Sequence, residues 1–390
     1  MFHLIFSIPS WYVIARFLIP LALPMALKIL LSALVLLASQ YLLVSRLVSG
    51  SFISPEMPRA IIILFNWAFS TVLFLALTQM LIDGVALIAW LFRYQVGIAP
   101  DIRYLAALLA MALATVGVYQ AIRVPAVKDV TIEIKNLPRE FEGYQLLQLT
   151  DLHITRLFNA SWTAALVKKA LSLNVNLIVI TGDVIDGTLN NRRADVEPLR
   201  GLHAPDGVFA ITGNHEYFFE QESWTRHLAS LGLHPLDNSH TVIKRGEAEL
   251  VVAGVPDISA SRRGAIGPNL AKALESAPVN APVVLLDHQP RNARQNAVQA
   301  IDVQLSGHTH GGLIAGFDRL FAKPNGGFVS GLYDVDGMQL YVNNGTALWP
   351  GMAVRLGRPS ELTRITLRRR ERIPDAEPSV AGDLSANNFQ

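Results

Sequence analysis

The stretch that decides the fold is Gln304-Leu305-Ser306-Gly307-His308-Thr309-His310-Gly311-Gly312. It follows directly on a short apolar run, which predicts a buried strand. Two histidines at alternating positions, flanked by three glycines, are unfavourable in a strand. They are well suited to a loop that binds a metal ion, because glycine lets the backbone approach a ligand closely and imidazole is a common metal ligand.

Four other segments end a predicted strand with the same kind of side chain. They are Asp151-Leu152-His153, Gly182-Asp183-Val184-Ile185-Asp186, Gly213-Asn214-His215-Glu216 and the single residue His288. Taken alone, the first would be a turn or capping pair, and the second a strand-to-helix turn with an Asp N-cap. Taken together, so many His and Asp beside apolar strands are rarely tolerated unless a positive charge lies between them. A pair of divalent cations explains the set.

After Arg123 the pattern predicts short apolar strands that alternate with helices. The predicted strands cover 130–134, 144–149, 177–180, 208–211, 250–255, 283–286, 303–305, 339–342 and 362–367, and the predicted helices 162–173 and 220–231. This alternation is typical of layered α/β architectures, in which ligands bind at the carboxyl ends of strands. Each candidate metal ligand follows a strand, so we expect all of them to meet at one edge.

The five motifs, in this order, resemble the calcineurin-like metallophosphoesterase superfamily over roughly Val130 to Leu367, most of all its membrane-associated YkuE- and YaeI-like phosphodiesterase branch. The segments that carry the branch likeness are 131–138, 304–312 and 344–362. The resemblance implies a four-layer fold of two packed mixed β-sheets flanked by helices, with the metals at one sheet edge. The chain departs from the branch at Leu313 and at Trp349-Pro350-Gly351.

The resemblance also implies a role for each site residue. One metal would be held by Asp151, His153, Asp183 and His310, and the second by Asp183, Asn214, His288 and His308, with Asp183 bridging. Such mixed oxygen and imidazole donors suit Mn, Fe or Zn ions better than Mg²⁺ or Ca²⁺. His215 would donate a proton to the leaving oxygen, with Asp186 orienting its ring.

The implied activity is hydrolysis of a phosphodiester or pyrophosphate bond by a metal-activated hydroxide. A likeness to UDP-2,3-diacylglucosamine hydrolases suggests a lipid-linked or envelope substrate. The alternative is a non-catalytic membrane protein whose phosphoesterase-like domain binds a phosphorylated ligand or partner. The retained ligands and proton donor favour the enzyme.

The amino-acid composition differs between the N-terminal part of the chain and the rest. Apolar residues make up 51% and charged residues 16%, and the apolar excess lies almost wholly before residue 123. Segments near 21–44, 60–82 and 104–122 are long enough to cross a bilayer, which takes about 20 apolar helical residues, while 1–20 is an interfacial helix or a fourth span. Asp83-Gly84 interrupts the second apolar run, after which residues 85–92 either extend the second helix or lie in the membrane interface.

We therefore expect a transmembrane anchor region over 1–122, a catalytic domain over 123–370 and a disordered tail over 371–390, in an integral, multi-pass protein of the cell (inner) membrane. The chain has no cysteine, which excludes disulfides and thiolate metal sites. A net charge of +2, without a basic stripe, gives no nucleic-acid-binding signature.

Overall fold

Apolar helices form the N-terminal part of the structure, a computed structural model that describes residues 2–94, 97 and 99–370. The predicted tail, 371–390, lies outside the described residues. The helices are α1 (Phe2–Val13), which continues into a π-helical turn (Ile14–Leu18), α2 (Met25–Ser39), α3 (Tyr41–Ser49), α4 (Arg59–Leu91) and α5 (Pro100–Ile122). By length and composition, α4 and α5 could each cross a membrane. The α2–α3 pair, bent by 60°, could form a third span.

Residues 85–91 extend the second helix beyond Asp83-Gly84, which is one of the two alternatives that the sequence left open. Helix α4 continues to Leu91 because the Asp83 carboxylate is satisfied inside the helical region. It accepts hydrogen bonds from the Tyr12 hydroxyl (2.7 Å), Arg16 Nε (2.9 Å) and Gln79 Nε2 (2.7 Å). A carboxylate with this many partners is tolerated in an apolar helix, where an unpaired one is expensive.

Two six-stranded mixed sheets form the rest of the chain. Their strands are β1 (Ala126–Ile134), β2 (Gln145–Leu149), β3 (Leu177–Thr181), β4 (Val208–Ile211), β5 (His234–Pro235), β6 (Ser239–Arg245), β7 (Ala248–Gly254), β8 (Val283–Leu286), β9 (Val303–Ser306), β10 (Gly331–Val335), β11 (Met338–Val342) and β12 (Glu361–Arg369). The first sheet has the order β1-β12-β2-β3-β4-β5 and the second β10-β11-β9-β8-β7-β6. Strands β2 to β5 run parallel, as do β7, β8, β9 and β11.

The two sheets pack against each other through apolar side chains, and helices cover their outer faces. Those helices are α6 (Ala160–Leu171), α7 (Leu189–Val196), α8 (Gln221–Ser230), α9 (Leu270–Ala273) and α10 (Ala293–Ala297). A further short helix, α11 (Asp318–Ala322), has no buried residue. The core between the sheets includes Leu146, Val179, Leu286 and Leu305, all almost fully buried. The predicted fold class, two packed mixed sheets with flanking helices after apolar N-terminal helices, is confirmed.

The N-terminal helices share a core with the sheets rather than hanging from a loose linker. Ile62 of α4 and Ala121 of α5 belong to the same hydrophobic cluster as Leu147 and Leu149 of β2. Only residues 123–125 separate α5 from β1. Small residues on α5 allow this close approach, since a small side chain lets backbones come together; they are Ala106, Ala110, Ala114, Gly117 and Ala121.

Replacing Gly117 by Val should destabilise the protein. A Cβ atom at this position would lie 2.7 Å from Cγ2 of the buried Val354, so that either α5 or the loop containing Val354 must move. Overpacking of this kind costs about 1–3 kcal/mol. Thermal unfolding of the detergent-solubilised full chain, followed by circular dichroism, should show a lower midpoint. The matched control is Gly84→Val, because a Cβ there meets nothing within 4 Å. Equal shifts in the two variants would contradict the close contact.

Candidate metal centre

The predicted site residues meet at one edge of the structure, where carboxyl ends of parallel strands from both sheets converge. They are Asp151 and His153 after β2, Asp183 and Asp186 after β3, Asn214 and His215 after β4, His288 after β8, and His308 and His310 after β9. Backbone hydrogen bonds hold neighbouring strand ends together. Asp151 N donates to Gly182 O at 3.0 Å, and Gly307 N donates to His288 O at 2.9 Å. The convergence predicted from sequence is therefore present.

Five of the predicted ligands have a left-handed backbone conformation. The φ angles are 52° at Asp151, 40° at His153, 53° at Asp183, 69° at His308 and 50° at His310. Residues other than glycine rarely adopt such angles, and each costs roughly 1–3 kcal/mol unless its surroundings enforce it. Close backbone packing does so here: a Cβ on Gly182 would lie 2.6 Å from Gly213 N, so only glycine fits.

One group of ligand atoms comprises Asp151, His153 and His310, each offering an atom within 4.8 Å of the others. The Nε2 atom of His310 lies 3.6 Å from Asp151 Oδ1 and 3.3 Å from His153 Nε2. His153 Nε2 lies 3.9 Å from Asp151 Oδ1. All three side chains thus point their donor atoms at a shared point, as ligands of one metal ion would.

The second group comprises Asp183, His288 and His308. His288 Nδ1 lies 2.7 Å from Thr181 O, which leaves Nε2 free to face the site. That Nε2 lies 3.2 Å from Asp183 Oδ2 and 3.3 Å from Asn214 Oδ1. Asp183 Oδ2 is also 3.8 Å from His153 Nε2 of the first group. Asp183, a member of the second group, is therefore also close to the first group.

The Asp186 carboxylate contacts two histidines, whereas the sequence analysis expected it to orient only His215. Its Oδ2 lies 2.9 Å from His153 Nδ1, and its Oδ1 makes a short hydrogen bond with His215 Nδ1. Burial lowers the pKa of His215, but the charges of Asp186 and Asp183 outweigh it and raise that pKa to about 9. The His215 ring is therefore protonated at neutral pH, the form that can donate a proton.

Glu216 is a site residue to which the sequence analysis assigned no role. Its buried carboxylate accepts hydrogen bonds from the backbone of two neighbouring loops: from Gly213 N at 2.6 Å, Val184 N at 2.6 Å and Asp183 N at 3.1 Å. Burial raises the pKa of Glu216 to about 7, while the bonds from Gly213 and Val184 favour the charged form. The feature of the sequence that could have identified Glu216 as a site residue is its position directly after Asn214-His215.

Arg355 is the second residue that the sequence did not indicate. Its guanidinium is fully buried beside the site and donates to the carbonyl oxygen of His310 at 3.0 Å. Burial lowers its pKa to about 9, at which it stays charged at neutral pH. Nothing in the local pattern from Met352 to Leu356 distinguishes it from a surface arginine.

The donor set fits divalent cations. Asp151 and Asp183 are 0% and 2% exposed, and neither pairs with a Lys or Arg side chain in the part of the chain that the structure describes. Buried carboxylates need a compensating positive charge. Burial lowers the pKa of His308 to about 3 and that of His310 well below its usual range, so both rings are neutral, the form that ligates metals.

Comparisons with known proteins agree with this geometry. Residues 144–312 match the family described as calcineurin-like phosphoesterase. A "Transmembrane protein with metallophosphoesterase domain" from Danio rerio is 34% identical over 68% of this chain and 62% of the relative, and its Bos taurus namesake is 33% identical over 76% and 70%. The "Uncharacterized metallophosphoesterase YkuE" of Bacillus subtilis is 27% identical over 61% of this chain and 84% of its own.

The chain thus spans 62% of the length of the first of these relatives and 70% of the second. The matched region contains every strand-end motif described above, from Asp151 to His310. This chain belongs to the calcineurin-like phosphoesterase family.

Proposed function

We propose that this protein is a membrane-anchored, dinuclear-metal phosphoesterase that hydrolyses a phosphodiester or pyrophosphate bond. The observation that carries the proposal is the position of Asp183 between the two groups of ligand atoms, 3.8 Å from His153 Nε2 and 3.2 Å from His288 Nε2. One carboxylate shared by two such groups suits a pair of metal ions. Two ions close together suit phosphoryl transfer.

Each residue has a distinct part in the proposed reaction. Two divalent cations, Mn, Fe or Zn, would activate a hydroxide and neutralise the phosphoryl oxygens. Asp151, His153, Asp183 and His310 would hold one of them, and Asp183, Asn214, His288 and His308 the other. Opposite the attacking oxygen, His215 would give a proton from Nε2 to the leaving oxygen. The short bond from its Nδ1 to Asp186 fixes the ring for that step.

The proposed setting is a membrane, with residues 1–122 as a multi-pass anchor in the cell (inner) membrane and 123–370 as the catalytic domain. Two relatives are named transmembrane proteins, and α4 and α5 are long and apolar enough to span. Ile314, shortly after His310, packs in one cluster with Val72 of α4 and Ala114 of α5. A site this close to the apolar helices suits a lipid-linked substrate, such as one resembling UDP-2,3-diacylglucosamine.

The competing proposal is a domain that binds a phosphorylated ligand or partner without cleaving it. Binding alone would not require a proton donor. His215 is retained, charged and hydrogen-bonded to Asp186. This contact favours hydrolysis.

Purified protein should contain two divalent metal ions per chain, removable by chelation and restored best by Mn²⁺. Asp183→Asn should lower the metal content, because one carboxylate serves both groups of ligands. Elemental analysis after gel filtration provides the measurement. Asp206→Asn is the control, since Asp206 pairs with Arg245 away from the site and should leave the content unchanged. A stoichiometry at or below one in the wild type, or no effect of Asp183→Asn, would contradict the dinuclear site.

His215→Ala should keep both metals and lower kcat by about 10²–10⁴-fold, the usual contribution of a positioned proton donor. The loss should be smaller for p-nitrophenyl diesters than for alkyl diesters, because p-nitrophenolate leaves with little protonation. Asp186→Asn should also reduce metal content, since Asp186 holds His153 as well as His215.

His203→Ala, at an exposed histidine, is the control for these kinetics and should change nothing. Metal loss in His215→Ala, or equal slowing for good and poor leaving groups, would show that His215 is not the proton donor. Fully loaded wild-type protein that cleaves no phosphodiester or pyrophosphate would favour the binding domain instead.

A further inference from the structure

We propose that Arg355 is a positioning residue for the metal-binding group formed by Asp151, His153 and His310, and that helices α4 and α5 hold Arg355 in place. The affinity for one of the two metals then depends more strongly on how the apolar helices pack than the affinity for the other does. This inference rests on the proposed dinuclear site.

The hydrogen-bond partners of the Arg355 side chain are backbone carbonyls. The guanidinium is 0% exposed and donates to four backbone carbonyls, those of His310 (3.0 Å), Arg358 (2.9 Å), Ala347 (3.2 Å) and Asn344. Within the described residues no carboxylate forms an ion pair with it. Burying a charge in this way is expensive, so the carbonyls that it holds together are the structural reason for its position.

Two of those carbonyls belong to segments that carry the first metal-binding group. The backbone of Ala347 donates from N to Asp151 O at 3.0 Å, so Arg355 reaches the Asp151 segment through it. His310 contributes its own carbonyl. Arg355 therefore links the chain segments of two predicted ligands of the same metal ion, although those ligands follow strands in different sheets.

His310 depends on this link more than His153 or His288 does. A ligating histidine is usually oriented by a hydrogen bond at its second ring nitrogen. The Nδ1 atom of His153 is hydrogen-bonded to Asp186, and the Nδ1 atom of His288 is hydrogen-bonded to Thr181 O. In contrast, His310 Nδ1 is buried and has no hydrogen-bond partner among the residues that the structure describes, and its backbone is in the left-handed region. The orientation of the His310 ring therefore follows from its backbone, whose carbonyl Arg355 fixes.

The loop that carries Arg355 is in turn fixed by the apolar helices. Arg355 N donates to Gly117 O of α5 at 3.0 Å. The amide side chain of Asn66, buried in α4, accepts from Ala353 N at 2.6 Å and donates to Pro350 O at 3.0 Å. A chain of direct contacts thus runs from α4 and α5 through residues 350–355 to His310.

The second metal-binding group has different support. Asp183 N donates to Glu216, and His288 Nδ1 lies 2.7 Å from Thr181 O, both within the sheets' own strand ends. His308 is connected to the first group through its backbone N, which donates to Asp151 Oδ2 at 3.1 Å. Loosening the helices should therefore weaken the first metal site more than the second. A merely structural role for Arg355 would lower the stability of the whole protein and change both metal affinities together.

The test is a competition titration of Mn²⁺ into the metal-free, detergent-solubilised full chain, with one dissociation constant fitted for each site. Arg355→Met should weaken one of the two sites by about 10–100-fold, the usual effect of removing a residue that supports a ligand. The other should stay within about threefold. Arg355→Lys, which keeps the charge but loses the planar fork, should be intermediate. Excess Mn²⁺ should restore kcat in these variants.

Two matched controls separate positioning from general damage. Arg192→Met removes the other fully buried arginine, which pairs with Glu56 and Asp195, and should leave the ratio of the two affinities unchanged. Asn66→Leu should act like Arg355→Lys. Gln79→Leu removes another buried amide of α4, one that contacts Asp83 and Arg103 instead of the catalytic part, and should have no effect on the ratio.

Either of two results would overturn this inference and leave the proposed function intact. In the first, Arg355→Met binds Mn²⁺ at both sites with wild-type affinity. In the second, Arg355→Met and Arg192→Met each weaken both sites equally. If Arg355→Met does not fold, an unchanged affinity ratio in Arg355→Lys and Asn66→Leu would overturn it equally. Wild-type protein that binds fewer than two Mn²⁺ would overturn the proposed function, and this inference with it.

Discussion

Two buried carboxylates on adjacent parallel strands are the constraint on which the rest of this structure depends. Asp151 and Asp183 follow β2 and β3 and are almost completely shielded from water, with histidines rather than Lys or Arg beside them. Such an arrangement is unstable without a compensating cation. The close backbone contact between Gly182 and Gly213 and the Glu216 carboxylate that joins two loops both help to keep these oxygens facing one point.

The strained backbone at the site follows from the same constraint. Asp151 and His153 are two positions apart, as are His308 and His310, so that an extended strand would already place each pair on one face. The left-handed φ angles at these residues instead turn the backbone out of the extended conformation directly after the strand, where the loops of the site begin. Backbone hydrogen bonds between the loops, such as that from His153 N to Asp183 O at 3.0 Å, offset the cost of these conformations.

The sequence predicted what is local and periodic. Strands such as β3 and β8 are buried on both faces and therefore appear as continuous apolar runs, and the site motifs follow those runs directly. The edge strands β6 and β10 were not predicted, because they are partly exposed and mix polar with apolar residues. Contacts between distant residues have no local signature. Two such contacts are the second histidine bound by Asp186 and the carbonyls held by Arg355.

Because the apolar helices and the sheets share one core, the helices would orient the catalytic part as well as anchor it. A flexible tether would let the catalytic part rotate freely, so that any phosphate near the membrane could reach the metals. Here Asn66 and Gly117 are hydrogen-bonded to the loop behind His310, and Ile62 packs with strand β2. With α4 and α5 placed in a bilayer, the orientation of the site relative to the membrane surface is fixed by packed side chains. A fixed orientation would limit the site to phosphoryl groups that are presented at one height and angle relative to the helices.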